Sequence, residues 1–346
     1  MAGTDGRTGR LTLRIKEAFL VVLAMALAGV LLAMWRFGGA STRKADQLVL
    51  QLSWRAQAEA GGFYEALEKG YYRDCGVNLV IRQGGNGIAS DQLLPTGAVD
   101  VAIIATSDGV LRMNQAGFKS RAIFAGLQHS PLGIDAHAES GITSVAGMRD
   151  SAVYISNSSR NTWWQFLKSR YGLSDAQLRS YTGQHAPFIA DRQAVMQNAI
   201  TNGGYVLQHE AGIKVRSFLL SDLGYDQYGG VLTAPQSLID RHPAQVRCLV
   251  DASRRGWADY LKDPKVGFAA VARAAPENTP DLMAYSYRIM KERKLVENAD
   301  TAAHGLGAMT DARWKSVFDV GVEAKLFPTD LDYRQGYTLA YQENGR

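Results

Sequence analysis

The sequence lacks the short motifs that mark many catalytic and metal-binding proteins. Its six histidines form neither H-x-H nor H-E-x-x-H, and no G-x-S-x-G or C-x-x-C is present. These absences argue against a zinc protease, an α/β-hydrolase and a thiol oxidoreductase. There is also no internal repeat and no low-complexity tract, which excludes a solenoid or a long disordered arm. We therefore expect a binding protein rather than an enzyme, with no catalytic residues, no metal and no cofactor.

Cysteine is scarce as well. Cys75 and Cys248 are the two present, and they lie so far apart in the sequence that their spacing says nothing about their distance in space. In an exported protein they could pair. Because free cysteine behaves as a small apolar residue, we expect two buried, unpaired side chains rather than a disulfide.

Most of the chain also carries little net charge. The formal net charge is +5, and the first forty residues account for +3 of it. The basic residues there are Arg7, Arg10, Arg14, Lys16 and Arg36, against Asp5 and Glu17. The remaining +2 gives no reason to propose nucleic acid as a partner.

The one long apolar run lies near the N-terminus. Ala18–Trp35 contains no charged residue and follows a basic stretch, which is typical of an export signal. Gly38 and Ala40 supply the small residues of a cleavage site. The run can also just span a bilayer, since about 20 residues are usually needed. Residues 1–40 are therefore predicted to be either a cleaved signal peptide or a membrane anchor, and both place the rest of the chain outside the cytoplasmic membrane.

Beyond this segment, strand-like and helix-like patterns alternate. Strands are predicted at 48–54, 77–83, 99–105, 121–128, 152–156, 204–210, 214–222 and 228–234. Helices are predicted at 63–70, 91–94, 107–115, 163–172, 191–200, 243–263, 281–296 and 311–327. Such alternation predicts an α/β fold with two lobes, each a mostly parallel sheet flanked by helices, and a cleft between them.

The chain is expected to cross between the two lobes twice. Residues 47–135 plus 230–346 would form one lobe with the C-terminal helices, and 136–229 would form the other. The crossings are predicted near Leu132–His137 and Gln227–Leu232. Ligands of open α/β sheets bind outside the carboxyl ends of the strands, so the loops after the strands are the candidate site.

The loop after the first predicted strand carries the most informative side chains. Trp54 ends that strand, and Gln57, Glu59 and Tyr64 follow it. Aromatic rings at this position could stack on a planar ligand, while Gln57 and Glu59 could make polar contacts. Trp54 could equally cap the core. Glu59 is expected to be an exposed first-turn acid.

Polar residues follow other strands too. The candidates for further ligand contacts are Ser90, Thr106, Ser107, Ser156 and Glu210. The hydroxyl groups could instead cap the helices that they precede. The glycine loop GGNGIAS before Ser90 could cradle an anionic or carbonyl oxygen, but it is not a P-loop because no Gly-Lys-Ser/Thr follows.

The ordered motifs resemble a known family. Four segments are similar to the motifs of solute-binding proteins of ABC importers. The family's strand that ends in Trp is matched by LQLSW, and its Lys-Gly-Tyr-Phe helix by GFYEALEKGYY. Its Gly-Leu-Asp-Val is matched by CGVNLVI, and its Gly-x-Ala-Asp-Phe-Gly strand by GAVDVAII. That group serves thiamine pyrimidine precursors, riboflavin, sulfonates and nitrate. The resemblance covers residues 47–260 and places Asp100 at the family's Asp.

Departures from the family pattern indicate which branch of the family this chain resembles. Members that bind the thiamine pyrimidine carry Pro, Asn and His where this chain has Ala56, Gln57 and Ala60. The related pyrimidine synthases need that His and a cysteine-rich iron site, so a synthase-like enzyme is the least favoured function. Q-A-E-A-G-G-F-Y and the pair Gly84–Gly85 look more like the branch that includes riboflavin binders.

The resemblance implies a two-lobed periplasmic-binding-protein fold of type 2 that captures a small planar heterocycle, a thiamine pyrimidine precursor or a riboflavin-like vitamin. Trp54 and Tyr64 would stack on it. The implied partner is an ABC permease, and a monomer in the periplasm or anchored to the outer face of the cytoplasmic membrane is expected. A sulfonate- or nitrate-type binding protein and a membrane-tethered ligand sensor are the alternatives.

Overall fold

A computed structural model describes residues 47–85 and 88–342. The described residues from Leu48 onward form one compact unit. The predicted export segment at 1–40 lies outside the described residues, so its cleavage or retention stays a prediction. Within the described ranges, no helix is both long enough and apolar enough to cross a membrane.

The strands belong to two separate sheets. In chain order they are β1 (Gln47–Gln51), β2 (Asn78–Arg82), β3 (Val101–Thr106), β4 (Ser120–Leu127), β5 (Leu132–His137), β6 (Val153–Ile155), β7 (Leu178–Ser180), β8 (Val195–Ala199), β9 (Val215–Leu219) and β10 (Gly229–Pro235).

The α-helices flank these sheets. They are α1 (Gly61–Glu68), α2 (Tyr71–Asp74), α3 (Ser90–Leu93), α4 (Ser107–Gln115), α5 (Asn157–Arg160), α6 (Trp163–Tyr171), α7 (Ala186–Ala190), α8 (Gly203–Ala211), α9 (Gln236–Arg241), α10 (Pro243–Lys262), α11 (Lys265–Ala274), α12 (Pro280–Glu292), α13 (Ala299–His304) and α14 (Asp311–Glu323). One-turn 3-10 helices lie at Ala58–Ala60, Val145–Met148, Asp175–Gln177 and Tyr333–Gly336.

Local signals in the sequence account for several helix ends. Gly70 follows α1 and Gly172 follows α6, and both adopt left-handed φ angles of 77° and 67° that glycine tolerates without strain. Thr279 caps α12 by accepting from the N–H of Leu282, and Pro280 begins that helix. The predicted helix ends at Gly70 and Gly172 are thereby confirmed.

The first sheet has the strand order β2-β1-β3-β10-β4. β1 and β3 pair in parallel, with Leu50 opposite Val101, whereas β10 runs antiparallel to β3 and β4. The first four residues of β3 are buried, as its apolar sequence predicts for a strand covered on both faces. Parallel pairing brings the loops that follow β1 and β3 to the same edge of the sheet.

The second sheet has the order β7-β6-β8-β5-β9. β6 is parallel to β7 and β8, and β5 is antiparallel to β8 and β9. Two predictions are wrong here. Residues 191–200 contain strand β8 rather than a helix, and 204–210 lie in helix α8 rather than in a strand. Val195 and Met196 are fully buried between neighbouring strands, and this burial outweighs their helix-compatible spacing.

Two short segments carry the chain from one sheet to the other. They are residues 128–131 and 220–228, so β5 lies wholly in the second sheet and the first crossing comes slightly earlier than predicted. The N–H of Ser130 donates to the carbonyl of Gln227 at 2.9 Å. Asp226 joins His129 at 2.8 Å and Arg313 of α14 at 3.2 Å. The two segments are therefore bonded to each other and to a C-terminal helix.

The C-terminal helices pack mainly on the first sheet. α10 lies against α1 so closely that a Cβ on Gly256 would sit 2.3 Å from the carbonyl oxygen of Gly62. α14 also reaches the second sheet, where Ala324 joins the core of Phe166 and Tyr225. The division of the chain into two lobes stays a prediction.

Cys75 and Cys248 form a disulfide, which corrects the expectation of unpaired side chains. Cys75 follows α2, and Cys248 lies on the face of α10 that packs against α2. This packing brings their Cα atoms within 5.6 Å, a normal disulfide separation. Tertiary packing of the C-terminal helix, which sequence spacing does not reveal, decides the pairing.

Candidate functional site

The candidate site lies where the segment after β1 of the first sheet meets the turn after β8 of the second sheet. β6 and β8 pair in parallel, with Val153 opposite Val195, so their carboxyl ends also share one edge. A hydrogen bond between Glu59 and Thr201 joins the loop after β1 to the turn after β8. This bond holds the segment after β1 against the turn after β8.

Trp54 is an exposed aromatic residue on a firmly held loop. Its side chain is 39% exposed, one of the few large apolar side chains at the surface of the described residues. The N–H of Gly84 donates to the Trp54 carbonyl at 3.0 Å. Two side chains hold Ala56, since Gln83 accepts from its N–H at 2.8 Å and Asn278 donates to its carbonyl at 2.8 Å. The ring is therefore presented by a rigid backbone rather than used in the core.

Gly84 lies very close to the backbone of the segment that carries Trp54. A Cβ at Gly84 would lie 2.5 Å from the carbonyl oxygen of Leu52 and 2.8 Å from the nitrogen of Trp54. Only glycine permits this close approach of two backbones. The glycine loop therefore supports the loop that carries Trp54. Anion binding by the loop stays a prediction.

Glu59 is directed inward, which corrects the expectation of an exposed acid. It lies in the 3-10 turn Ala58–Ala60, and its Oε1 accepts a hydrogen bond from the hydroxyl of Thr201. Its Oε2 is shielded from solvent and has no hydrogen-bond partner within the part of the chain that the structure describes. Burial raises the pKa of Glu59, and the Thr201 hydroxyl offsets part of that rise.

Tyr64 packs in the core instead of facing a ligand. It is 5% exposed and belongs to a cluster with Leu50 and Trp257. Burial raises its pKa to about 12. Stacking needs an accessible ring, and of the predicted pair Trp54 is the exposed one. Stacking by Tyr64 stays a prediction that its burial disfavours.

Two of the predicted serines hold segments of the fold together. The Ser90 hydroxyl donates to the carbonyl of Ile103 at 2.8 Å. The Ser107 hydroxyl donates to Oε1 of Gln227 at 2.8 Å, and the N–H of Asp108 donates to the same oxygen at 3.0 Å. Ser107 thereby fixes α4 to the second crossing segment. Ligand contacts by either hydroxyl stay a prediction.

Gln57, Thr106 and Ser156 occupy cap positions. Ser156 accepts from the N–H of Ser159 as the cap of α5, so the capping alternative holds for it. Gln57 and Thr106 precede the 3-10 turn and α4, but neither side chain makes a capping bond. Both are partly exposed, so they remain candidates for polar ligand contacts.

Glu210 does not lie at a strand end. It is on α8, where its Oε2 is 2.9 Å from Nδ1 of His185. The hydroxyl of Tyr181 is 3.5 Å from the other ring nitrogen of the same histidine. The predicted ligand role of Glu210 depended on the wrong strand assignment. In the structure the carboxylate of Glu210 pairs with His185 instead.

Thr201 is the residue at the site that the sequence does not predict. It is fully buried and precedes Asn202 and Gly203, at the start of α8. The run T-N-G-G is a turn signal that could have marked it. The signal is obscured because the preceding strand is predicted as a helix.

Asp135 is a buried acid that the sequence did not predict. It lies on β5, accepts from Ser217 at 2.6 Å and from Asn198 at 2.9 Å, and is almost completely shielded from solvent. Burial raises its pKa to about 6, and the two donors and nearby His185 counteract that rise. The carboxyl group is therefore easier to protonate in the folded than in the unfolded chain.

This raised pKa predicts a pH-dependent loss of stability. Since the folded pKa exceeds the unfolded value of about 3.9, no penalty exists below pH 4; it grows between pH 4 and 6 and reaches about 3 kcal/mol above pH 6. Thermal melts of the wild type and Asp135→Asn from pH 4 to 7 should show a steeper decline in the wild type. Parallel pH profiles would contradict this account.

Two surface cavities differ in their relation to the strand ends. One of about 380 Å³ adjoins the ends of β1 and β2 and is lined by Gln51, Arg82, Gln83, Ile88, Ala89, Gln92 and Leu93. A larger one of about 510 Å³ lies between α6 and the end of α14, lined by Asn161, Gln165, Lys168, Ser169, Ala324, Lys325 and Leu326. The smaller cavity is the more relevant, because ligands of this type of sheet bind at strand ends.

Two sheets joined by two crossing segments, with their strand-end loops facing one another, define the fold of periplasmic ligand-binding proteins. The alkanesulfonate-binding protein SsuA from Xanthomonas axonopodis pv. citri, solved with MOPS bound, has a similar fold: the TM-score is 0.63 at 14% identity, over 86% of this chain and 99% of that one. The aliphatic sulphonate-binding protein SsuA from Escherichia coli gives 0.58 at 17% identity, over 85% and 92%.

The sequence relationship is more specific. Residues 57–266 match the family described as NMT1/THI5 like, and the chain belongs to this family. Among curated proteins, the riboflavin-binding protein RibY from Chloroflexus aurantiacus is 24% identical over 310 residues, which cover 87% of each chain. The predicted resemblance and fold class are thereby confirmed.

Proposed function

We propose that this protein is the extracytoplasmic solute-binding component of an ABC importer and that it captures a small planar heterocycle. The exposed Trp54 on a rigid strand-end loop carries the proposal, because such a ring can stack on a flat ligand. Family membership and the similarity to a riboflavin-binding protein support it. The partner would be a membrane permease, and the protein would act as a monomer without catalysing a reaction.

The ligand class is a riboflavin-like vitamin or a thiamine pyrimidine precursor. Ala56, Gln57 and Ala60 depart from the pyrimidine-binding pattern, which favours the riboflavin-like alternative. A sulfonate-type ligand is the second candidate, because the fold resembles that of two sulfonate-binding proteins. An uncleaved segment at 1–40 would make the protein a tethered receptor or sensor on the outer face of the membrane.

A thermal-shift panel on the full chain tests the ligand class. Riboflavin, hydroxymethylpyrimidine, formylaminopyrimidine, taurine and nitrate would each be added in excess, since a ligand that binds only the folded state raises the melting temperature. We expect a shift with one of the three planar compounds. A shift with taurine or nitrate alone would favour the sulfonate-type alternative and reject stacking by Trp54.

Replacing Trp54 by alanine should weaken binding of the planar ligand about 30-fold, because the variant loses both apolar contact and stacking. The melting temperature without ligand should hardly change, since the ring is exposed. Trp54→Phe should retain most of the affinity. Arg55→Ala is a matched control, because Arg55 only forms an exposed ion pair with Glu277. Isothermal titration of all four proteins would decide; equal affinities would refute the stacking role.

A further inference from the structure

The carboxyl group of Glu59 belongs to both halves of the candidate site. Its turn follows β1 of the first sheet, whereas its partner Thr201 follows β8 of the second. Any separation of the two edges would break this bond and uncover the carboxyl group. Glu59 is therefore positioned to respond to a ligand that enters between them.

One oxygen of this carboxyl group has no partner. Oε2 is shielded from solvent and unpaired among the described residues, whereas Oε1 accepts from Thr201. Buried polar atoms in folded proteins are nearly always bonded, so an exception at a strand-end site points to a missing partner. A ligand atom is the natural candidate, because Trp54, which precedes Glu59 by five residues after β1, is exposed as well.

No cation or other titratable group bonds to Glu59 within the described ranges. The elements packed against its turn are α1, α11, α12 and β4, with α10 just beyond. Several titratable groups on these elements bond elsewhere: Glu65 to Gly267 and Lys69, Arg273 to Glu68, Tyr287 to Leu261, Arg121 to Gln236 and Tyr260 to Ala58. Tyr64 and Asp281 lie on the same elements, and neither bonds to Glu59 among the described residues. The Thr201 hydroxyl would stabilise an ionised Glu59, but no cation among the described residues would do so. Burial therefore favours the neutral acid, and the raised pKa agrees with this.

The neutral acid has a defined orientation. Because Oε1 accepts the Thr201 hydrogen, the acidic proton is on Oε2, the oxygen without a partner. We infer that Oε2–H of Glu59 donates a hydrogen bond to an acceptor atom of the ligand, a carbonyl oxygen or an unprotonated ring nitrogen, while Thr201 holds the carboxyl group in place. The inference rests on the proposed function, since it names the atoms of the planar ligand that Glu59 would recognise.

Glutamine is the informative substitution. In Glu59→Gln the amide oxygen can still accept from Thr201, and the amide nitrogen can still donate, but the group no longer titrates. Glu59→Ala removes both functions. Thr201→Val retains the volume and removes only the orienting hydroxyl.

Titration with riboflavin from pH 5 to 9 tests the inference, because its ring offers carbonyl oxygens and unprotonated nitrogens. The wild type should lose affinity as the pH rises through the raised Glu59 pKa, since only the neutral acid donates. Glu59→Gln should bind within about threefold of the wild type at pH 5 and show no such decline. Glu59→Ala should bind at least tenfold more weakly at pH 5, and Thr201→Val about threefold more weakly.

Other outcomes separate the two claims. If riboflavin binds with the same affinity to wild type and Glu59→Ala, or binds more tightly at high pH, the donor role is wrong and the planar-ligand function stands. If no planar compound binds the wild type at any pH, the proposed function fails and the inference fails with it. Melting temperatures of the variants without ligand establish that each is folded.

Discussion

Reduction of the Cys75–Cys248 disulfide should lower the free energy of unfolding by about 4 kcal/mol. The bond closes a loop of 173 residues, and long loops restrict the unfolded chain most strongly in the entropic account of disulfides. It also ties α2 to α10, whose packing forms a large part of the first-sheet core. For a chain of this size the melting temperature should fall by about 5 °C or more.

A double alanine variant provides the control. Thermal melts of the wild type with and without dithiothreitol would be compared with those of Cys75→Ala/Cys248→Ala. Reduction should bring the wild type close to the variant and leave the variant unchanged. If the reductant shifts both proteins equally, or neither, the disulfide does not stabilise the fold as we expect.

Gly256→Val should destabilise the protein by about 3 kcal/mol or more, the upper part of the usual range for overpacking. A Cβ at this position would lie 2.3 Å from the carbonyl oxygen of Gly62 and 2.5 Å from the Cβ of Ala66. The obstacle is largely backbone, so a rotamer change cannot relieve it, and α10 would have to move away from α1.

Ala258→Val is the matched control, because this residue lies on the same helix but faces solvent. It should cost only a few tenths of a kcal/mol, the difference in helix propensity. Chemical denaturation of both variants measures the two effects. Similar losses for Gly256→Val and Ala258→Val would mean that the close approach of α1 and α10 is not required for stability.

The local elements of the first sheet were predictable from the sequence. β1, β3 and α4 occur where the apolar pattern places them, and Thr106 marks the boundary between β3 and α4. The two-lobed arrangement was a prediction from the alternation of strands and helices along the whole chain, since no single segment specifies it, and the family resemblance implied the same arrangement.

The second sheet shows where such prediction fails. Val195 and Met196 precede polar Gln197 and Asn198, a pattern that suits a helix as well as a strand. Their burial between β5 and β6 selects the strand. The following segment contains Tyr205 and other strand-forming residues, yet it folds as α8. Short apolar segments are ambiguous until long-range contacts choose between the alternatives.

The sequence by itself determined the chemistry available at the site: an aromatic ring after the first strand, an acid five residues later and no catalytic motif. Only the tertiary structure decided which of these side chains are exposed and which are bonded. It placed Tyr64 in the core, left Trp54 exposed and joined Glu59 to Thr201 across the two sheets. The reason is physical, because exposure and hydrogen-bond partners depend on contacts between residues far apart in the chain, which local patterns do not specify.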